Sequence, residues 1–180
     1  MSWLERGPFT VFDVETTGMS PVNDRIVEIA ALRIDKDGSE KRFSTLVNPG
    51  RRIPYAASRV HHITDAMVCT APYFDSVGAA FLEFIEGSTL VAHNAGFDLR
   101  FLQNSLARYG MALEKGEAID TLALARSVYP GLRSYKLQDL RITLDLECGG
   151  GVAHRAGSDV EWTAVLLRKA LTRLALTKKG

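Results

Sequence analysis

At 180 residues the chain can bury one substantial core but is short for two, and its 46% apolar and 24% charged content is that of a globular protein. No apolar run reaches the roughly 18 residues of a membrane span, no signal-peptide pattern opens the chain, and Cys69 and Cys148 make neither a disulfide framework nor a zinc spacing. A net charge of +1 excludes a protein that grips long duplex nucleic acid by charge alone. A reducing cytoplasm and a single domain over residues 1–180 are the expectations.

In chain order, the first element is a strand opening the stretch Phe9 to Gly18. Phe9, Val11, Phe12 and Val14 make it apolar on both faces, as in the centre of a sheet covered by helices. Into this strand the sequence sets Asp13 and Glu15. Strand side chains alternate, so residues two apart leave the same face about 6–7 Å from one another. Two carboxylates side by side on a buried strand repel and are costly to desolvate unless a cation lies between them. Thr16-Thr17-Gly18 follows as a turn whose N–H groups and hydroxyls suit a phosphate or sugar. The plainer alternative is that the strand ends near Asp13 and the carboxylates mark its solvated end.

Met19 to Arg25 is a polar loop. Ile26 to Ile34 is a second strand, which carries Glu28 and Arg33. Asp37-Gly38 marks a hairpin turn, and a third, antiparallel strand runs from about Glu40 to Val47. Asn48-Pro49-Gly50 ends it, and Arg51 to Tyr55 is an extended basic loop. Ala56 to Met67 holds a short helix and a turn, with His61 and His62. An amphipathic helix over Asp75 to Glu86 is closed by Gly87. Thr89 to Ala92 is another strand, turning through His93-Asn94-Ala95-Gly96-Phe97-Asp98 into a helix that stops at Gly110. Asp98 falls in its first turn, where a capping role alone would account for it. A short strand precedes Asp120, which caps a helix from Thr121 to Val128. Leu137 to Leu144 is a further helix, and Gly149-Gly150-Gly151 the most flexible point. His154 and Asp159 lead into the last helix, which begins near Ala156 or at a Ser158–Glu161 capping box. Val160, Ala164, Leu167, Leu171 and Leu174 form its buried stripe, and the end frays from Thr177.

A hairpin-rich start followed by strand–helix alternation predicts an α/β mixed sheet with helices on both faces. If Asp13, Glu15, Asp98 and Asp159 converge, their all-oxygen set suits Mg²⁺ or Mn²⁺. Two such ions stabilise the attacking and leaving oxygens of an in-line phosphoryl displacement. Asp13 is best placed to bridge them. His154, with an ordinary pKa near 6.5, suits a general base at neutral pH.

Three segments carry a resemblance. Phe12-Asp13-Val14-Glu15-Thr16-Thr17-Gly18, His93 to Asp98, and His154-Arg155-Ala156-Gly157-Ser158-Asp159 are similar to the exonuclease motifs of the DEDDh superfamily. Its proofreading (epsilon) subunits of bacterial DNA polymerase III resemble the chain over nearly its whole length. Val60-His61-His62-Ile63-Thr64 and Asp120 to Arg126 add to the likeness. The resemblance implies a ribonuclease-H-like fold and metal-dependent 3′→5′ hydrolysis, DNA preferred, that releases nucleoside 5′-monophosphates. Asp13, Glu15 and Asp159 would hold one ion, Asp13 and Asp98 the second, and His154 would be the base. Thr16, Thr17, Gly18 and Asn94 would meet the terminal nucleotide, with His61 and Phe97 beside its base. The implied partners are single-stranded or frayed 3′ ends and a polymerase, with no membrane. His62 departs from the family's usual glycine, which would reshape the substrate cleft, and Val160 from alanine. The sequence also ends soon after the last helix, where proofreading subunits carry a polymerase-binding tail. RNA-trimming or oligoribonucleotide-degrading relatives are the alternative, although Thr16 stands where oligoribonucleases usually have methionine. A catalytically dead binding module is the alternative from a different class, against which all five catalytic positions are filled.

Overall fold

The computed structural model describes residues 3–114, 116–146 and 155–177. Five strands form one sheet in the order β3-β2-β1-β4-β5. They are β1 (Phe9–Thr16), β2 (Ile26–Ile34), β3 (Glu40–Leu46), β4 (Thr89–Ala92) and β5 (Ala118–Asp120). β1, β2 and β3 pair antiparallel, whereas β4 joins β1 and β5 joins β4 in parallel. The sheet is therefore mixed, with its first strand at the centre, as the run of bulky residues on both faces of β1 predicts. Together with the helix layers, this is a ribonuclease-H-like α/β fold.

The period of two sorts the sheet into two cores. Phe12, Val14, Ile29 and Ala31 face α3 (Phe74–Ile85) and α4 (Gly96–Ala107), packing with Phe81, Phe101 and Leu102. Phe9, Val11, Ala30, Leu32 and Ile34 face α7 (Ala156–Thr177), meeting Val160, Ala164, Leu167 and Leu171. The expected stripe of α7 is thus its sheet-facing side. Val160 belongs to it, so its departure from alanine is absorbed as core volume. A second side of α7, with Trp162 and Leu166, packs on α5 (Thr121–Val128) and α6 (Leu137–Thr143) through Ala125, Leu137 and Leu140. Burial on two sides holds the helix that carries Asp159 against both the sheet and the α5–α6 layer.

Two local expectations change. Ala56 to Met67 divides into α1 (Tyr55–His61) and α2 (Asp65–Val68), because His62 takes the left-handed conformation at φ 61° and stops α1. The Ser158–Glu161 capping box does not form at the helix start. α7 begins at Ala156, so Ser158 lies inside the first turn, its N–H donating to the Arg155 carbonyl at 2.9 Å. Gly149 to Gly151 and His154 lie outside the described residues.

Candidate active site

β1 pairs with β4 only as far as Val11 with Val91, yet β1 runs on to Thr16. Where the strands part, β1 loses its partner on that side. The Val14 N–H, left without a neighbouring strand, donates instead to Asp98 Oδ1 at 3.1 Å. Asp98 is 3% exposed, so α4 brings a carboxylate into the cleft between β1 and β4 instead of merely capping itself. Asp13 and Glu15 leave β1 on its other side, toward α7. There Asp159, in the first turn of α7 and 7% exposed, completes a cluster. One carboxylate oxygen from each of Asp13, Glu15 and Asp159 lies within 4.8 Å of the others. Gln138 on α6 donates from Nε2 to Asp159 Oδ1 at 3.0 Å and orients it.

The electrostatics show what the cluster lacks. Burial, then the charges of Asp98, Glu15 and Asp159, hold the Asp13 carboxyl well above the ordinary carboxylate range. Burial and the charges of Asp159 and Glu28 push Glu15 up to about 8. Burial also raises Asp98, to about 7, against the opposing pull of the Val14 N–H. Carboxyls crowded until they resist ionising are what a divalent cation reverses, and three oxygen donors this close fit one. The cluster can hold a divalent metal, with Asp98 facing Asp13 from the other side.

Sequence reasoning passed over Glu28. It lies directly across from Glu15 in the β1–β2 register and is 4% exposed. Its carboxylate accepts two bonds from Arg155, 2.7 Å from Nη2 and 3.1 Å from Nε, and a third from the Ala156 N–H at 3.1 Å. Glu28 is therefore the long-range cap of α7, which places Asp159. The signal was present: a charged residue in an otherwise apolar strand. Its partner, 127 residues away, was not legible.

The turn after Glu15 is braced more tightly than its composition suggests. Thr16 Oγ1 donates to the Gly18 carbonyl at 2.7 Å. Thr17 Oγ1 donates to Asp24 at 3.1 Å and accepts the Arg25 N–H, while the Thr17 N–H donates to the Arg25 carbonyl. Both hydroxyls are thus committed to the turn. A β-carbon on Gly18 would sit 2.5 Å from the Asp24 carboxylate, which is why glycine stands there.

His61 is 2% exposed and so presents no ring face to a base. Its Nδ1 accepts the Ile63 N–H at 3.0 Å, and burial lowers its pKa. In the neutral ring the proton is therefore on Nε2, which is buried toward the Thr16 backbone. Phe97 is half-buried, its ring 4.8 Å from Phe101. Asn94 is exposed in the left-handed conformation at φ 65°, its N–H held by Asp120. Asp120 also accepts the Leu122 N–H at 2.9 Å, the predicted cap of α5. His62 is exposed and does not enter the cluster.

Residues 10–167 match the RNase_T exonuclease family. The chain belongs to that family. It is 43% identical over 157 residues to the DNA polymerase III subunit epsilon of Treponema pallidum, which covers 86% of this chain and 72% of that protein. It is 39% identical to the DNA polymerase III PolC-type of Caldanaerobacter subterraneus, covering 93% of this chain but only 12% of that one. Among solved structures, Exonuclease X in complex with 5′-overhanging duplex DNA superposes with a TM-score of 0.72 and 33% identity over 91% of each chain. The resemblance to proofreading subunits thus holds, and the chain is an enzyme of the 3′→5′ exonuclease class. No helix among the described residues is long and apolar enough to cross a membrane.

Proposed function

We propose that this exonuclease removes nucleotides one at a time from single-stranded or frayed 3′ ends, DNA preferred, releasing nucleoside 5′-monophosphates. The observation that carries the reading is the Asp13–Glu15–Asp159 cluster, half-buried to buried, with the Asp13 and Glu15 carboxyls held above their ordinary range. In this reading Asp13, Glu15 and Asp159 hold one Mg²⁺ or Mn²⁺, and Asp13 with Asp98 holds a second. Bound there, the two ions supply charge neutralisation to both the attacking and the leaving oxygen. The protein's own contribution is placement. β1 and α7 fix the carboxylates, Gln138 orients Asp159, and the buried His61 lies against the Thr16 backbone that flanks the terminal nucleotide. Phe97 offers one open side to its base, and the Thr16–Gly18 turn and Asn94 flank it. His154 takes the proton from the attacking water.

The relatives' names make a DNA polymerase the first protein partner to test, by co-purification, and a cytoplasmic setting accords with that. The deciding experiment is digestion of matched 3′-terminal DNA and RNA oligomers with Mg²⁺ or Mn²⁺, the products being weighed by mass spectrometry. Nucleoside 5′-monophosphates released stepwise from DNA are expected. Faster digestion of RNA would transfer the reading to the oligoribonucleotide-degrading relatives, and inertness on both would overturn it. His154→Gln should lower kcat about 10²–10⁴-fold with little change in metal affinity.

A further inference from the structure

The basic loop at Arg51 has a place in the fold that the reading above leaves unused. From Asn48 to Thr64 the sequence has no acidic residue, but it has Arg51, Arg52 and Arg59. On a chain whose net charge is +1, this is a local concentration of positive charge. The structure sets it between two elements that meet the turn after Glu15. On one side, Arg51 Nη1 donates to the Asn23 carbonyl at 2.7 Å, in the loop braced against Thr17 and Gly18. On the other, the segment runs into α1, whose last residue is the buried His61. At 1.5 Å per residue, Tyr55 and His61 are about 9 Å apart along α1, within reach of one strand.

α1 turns its two sides to different tasks. His61 points inward. Tyr55 and Arg59, one turn apart, point outward, with the Arg59 guanidinium 5.9 Å from the centre of the Tyr55 ring. Tyr55 is nonetheless 78% exposed, so most of its ring surface remains open. Among the described residues, Arg52 is held by a 3.8 Å contact to Asp65, with its side chain 97% exposed, an ion pair too solvated to bind it firmly. An open aromatic ring among exposed arginines is the composition of a surface that tracks single-stranded nucleic acid. The arginines take phosphates, and the ring stacks a base without reading its identity.

We infer that Arg51, Arg52, Tyr55 and Arg59 form a subsite for the strand upstream of the 3′-terminal nucleotide. The inference rests on the nuclease reading above and adds to it the expectation that long substrates outrank short ones. Electrostatic contact to the upstream phosphates sets substrate affinity there, while the carboxylates set the rate.

The test compares two substrates on the full chain with Mn²⁺. One is a single-stranded oligodeoxynucleotide of about ten residues, within the span of strand-tracking sites. The other is the p-nitrophenyl ester of thymidine 5′-monophosphate, which has a scissile phosphodiester and no upstream strand. In Arg52→Ala/Arg59→Ala, the ratio of kcat/KM for the oligomer to that for the ester should fall about tenfold or more, through the oligomer's KM. Between about 50 and 200 mM salt, the slope of log KM against log salt should drop by about 0.7 for each phosphate contact removed. Tyr55→Ala should lower the ratio about fivefold, and Tyr55→Phe should restore it, because stacking needs the ring and not the hydroxyl. An unchanged ratio and salt slope in the double variant, with both substrates still cut, would overturn this inference and leave the nuclease reading standing. A native chain that cuts neither substrate would overturn both.

Discussion

Glu15 and Glu28 lie opposite one another on adjacent strands, within the same sheet face and at the same end of the fold. Glu28 is buried and Glu15 half-buried, and chemically they are the same side chain. Glu28 is answered from within the protein, by the Arg155 guanidinium and the Ala156 N–H. Glu15 is instead surrounded by Asp13, Asp159, Glu28 and Asp98, and its carboxyl is driven up to about 8. The difference separates two uses of a buried carboxylate. One builds, because its charge closes a contact between β2 and α7. The other is crowded by like charges that Arg155 offsets only in part, and that crowding is the condition for binding a cation.

The sharpest way to break this contrast is to neutralise one member of the cluster. Asp13→Asn should abolish exonuclease activity, by orders of magnitude, and raise the melting temperature in EDTA, since it removes one buried like charge at nearly constant shape. In the native chain Mn²⁺ should raise the melting temperature, by about 2.7 kcal/mol of linkage at a hundredfold excess over Kd. That response should shrink sharply in Asp13→Asn. A variant that melts lower in EDTA, with neither protein responding to Mn²⁺, would show that these carboxylates are structural like Glu28.

pH gives the next largest effect. Glu15 sits at about 8 against an ordinary 4.5, and Asp98 at about 7 against 3.8. Both are raised in the folded state, so folding favours their protonated forms. The stability they contribute is complete below about pH 4 and is lost as pH rises toward 8, on the order of a few kcal/mol. Thermal melts in EDTA should therefore fall across this window, and the fall should be shallower in Glu15→Gln. With saturating Mn²⁺ the trend should reverse, because the ion binds the ionised carboxylates.

The builder answers in the opposite sense. Glu28→Ala leaves Arg155 and the start of α7 without their acceptor. Because Arg155 is about a third exposed, the loss should be about 1–3 kcal/mol, below that of a fully buried pair. It should appear equally in EDTA and in Mn²⁺ when followed by denaturant melts. A gain in stability on removing Glu28 would place it in the cation cluster after all.

The smallest effect belongs to His62, exposed and left-handed at φ 61°. His62→Gly relieves a conformation that costs an L-residue about 1–2 kcal/mol and gives back part of that as unfolded-chain entropy. A gain of about 0.5–1 kcal/mol, a rise of roughly 1–4 °C in melting temperature, is expected, with the cluster untouched. A change in metal response would show instead that this turn reaches the cluster.

Local chemistry carried much of this protein in the sequence alone. Alternation placed Asp13 and Glu15 on one side of a central strand, and period-3.6 spacing marked the buried stripe of the last helix, because both depend only on the backbone repeat. The motif spacing named the acidic residues for the same reason: each motif is short enough that its element and turn dictate its geometry. What distance in the chain separates, only tertiary structure could decide. That Asp98 would accept the Val14 N–H depends on where β1 and β4 part, which no local pattern encodes. That Glu28 would cap α7, and displace the Ser158–Glu161 box, depends on packing a helix across the β1–β2 register. Whether a carboxylate braces the fold or suits a cation is a property of the charges around it, and those meet only when the chain has folded.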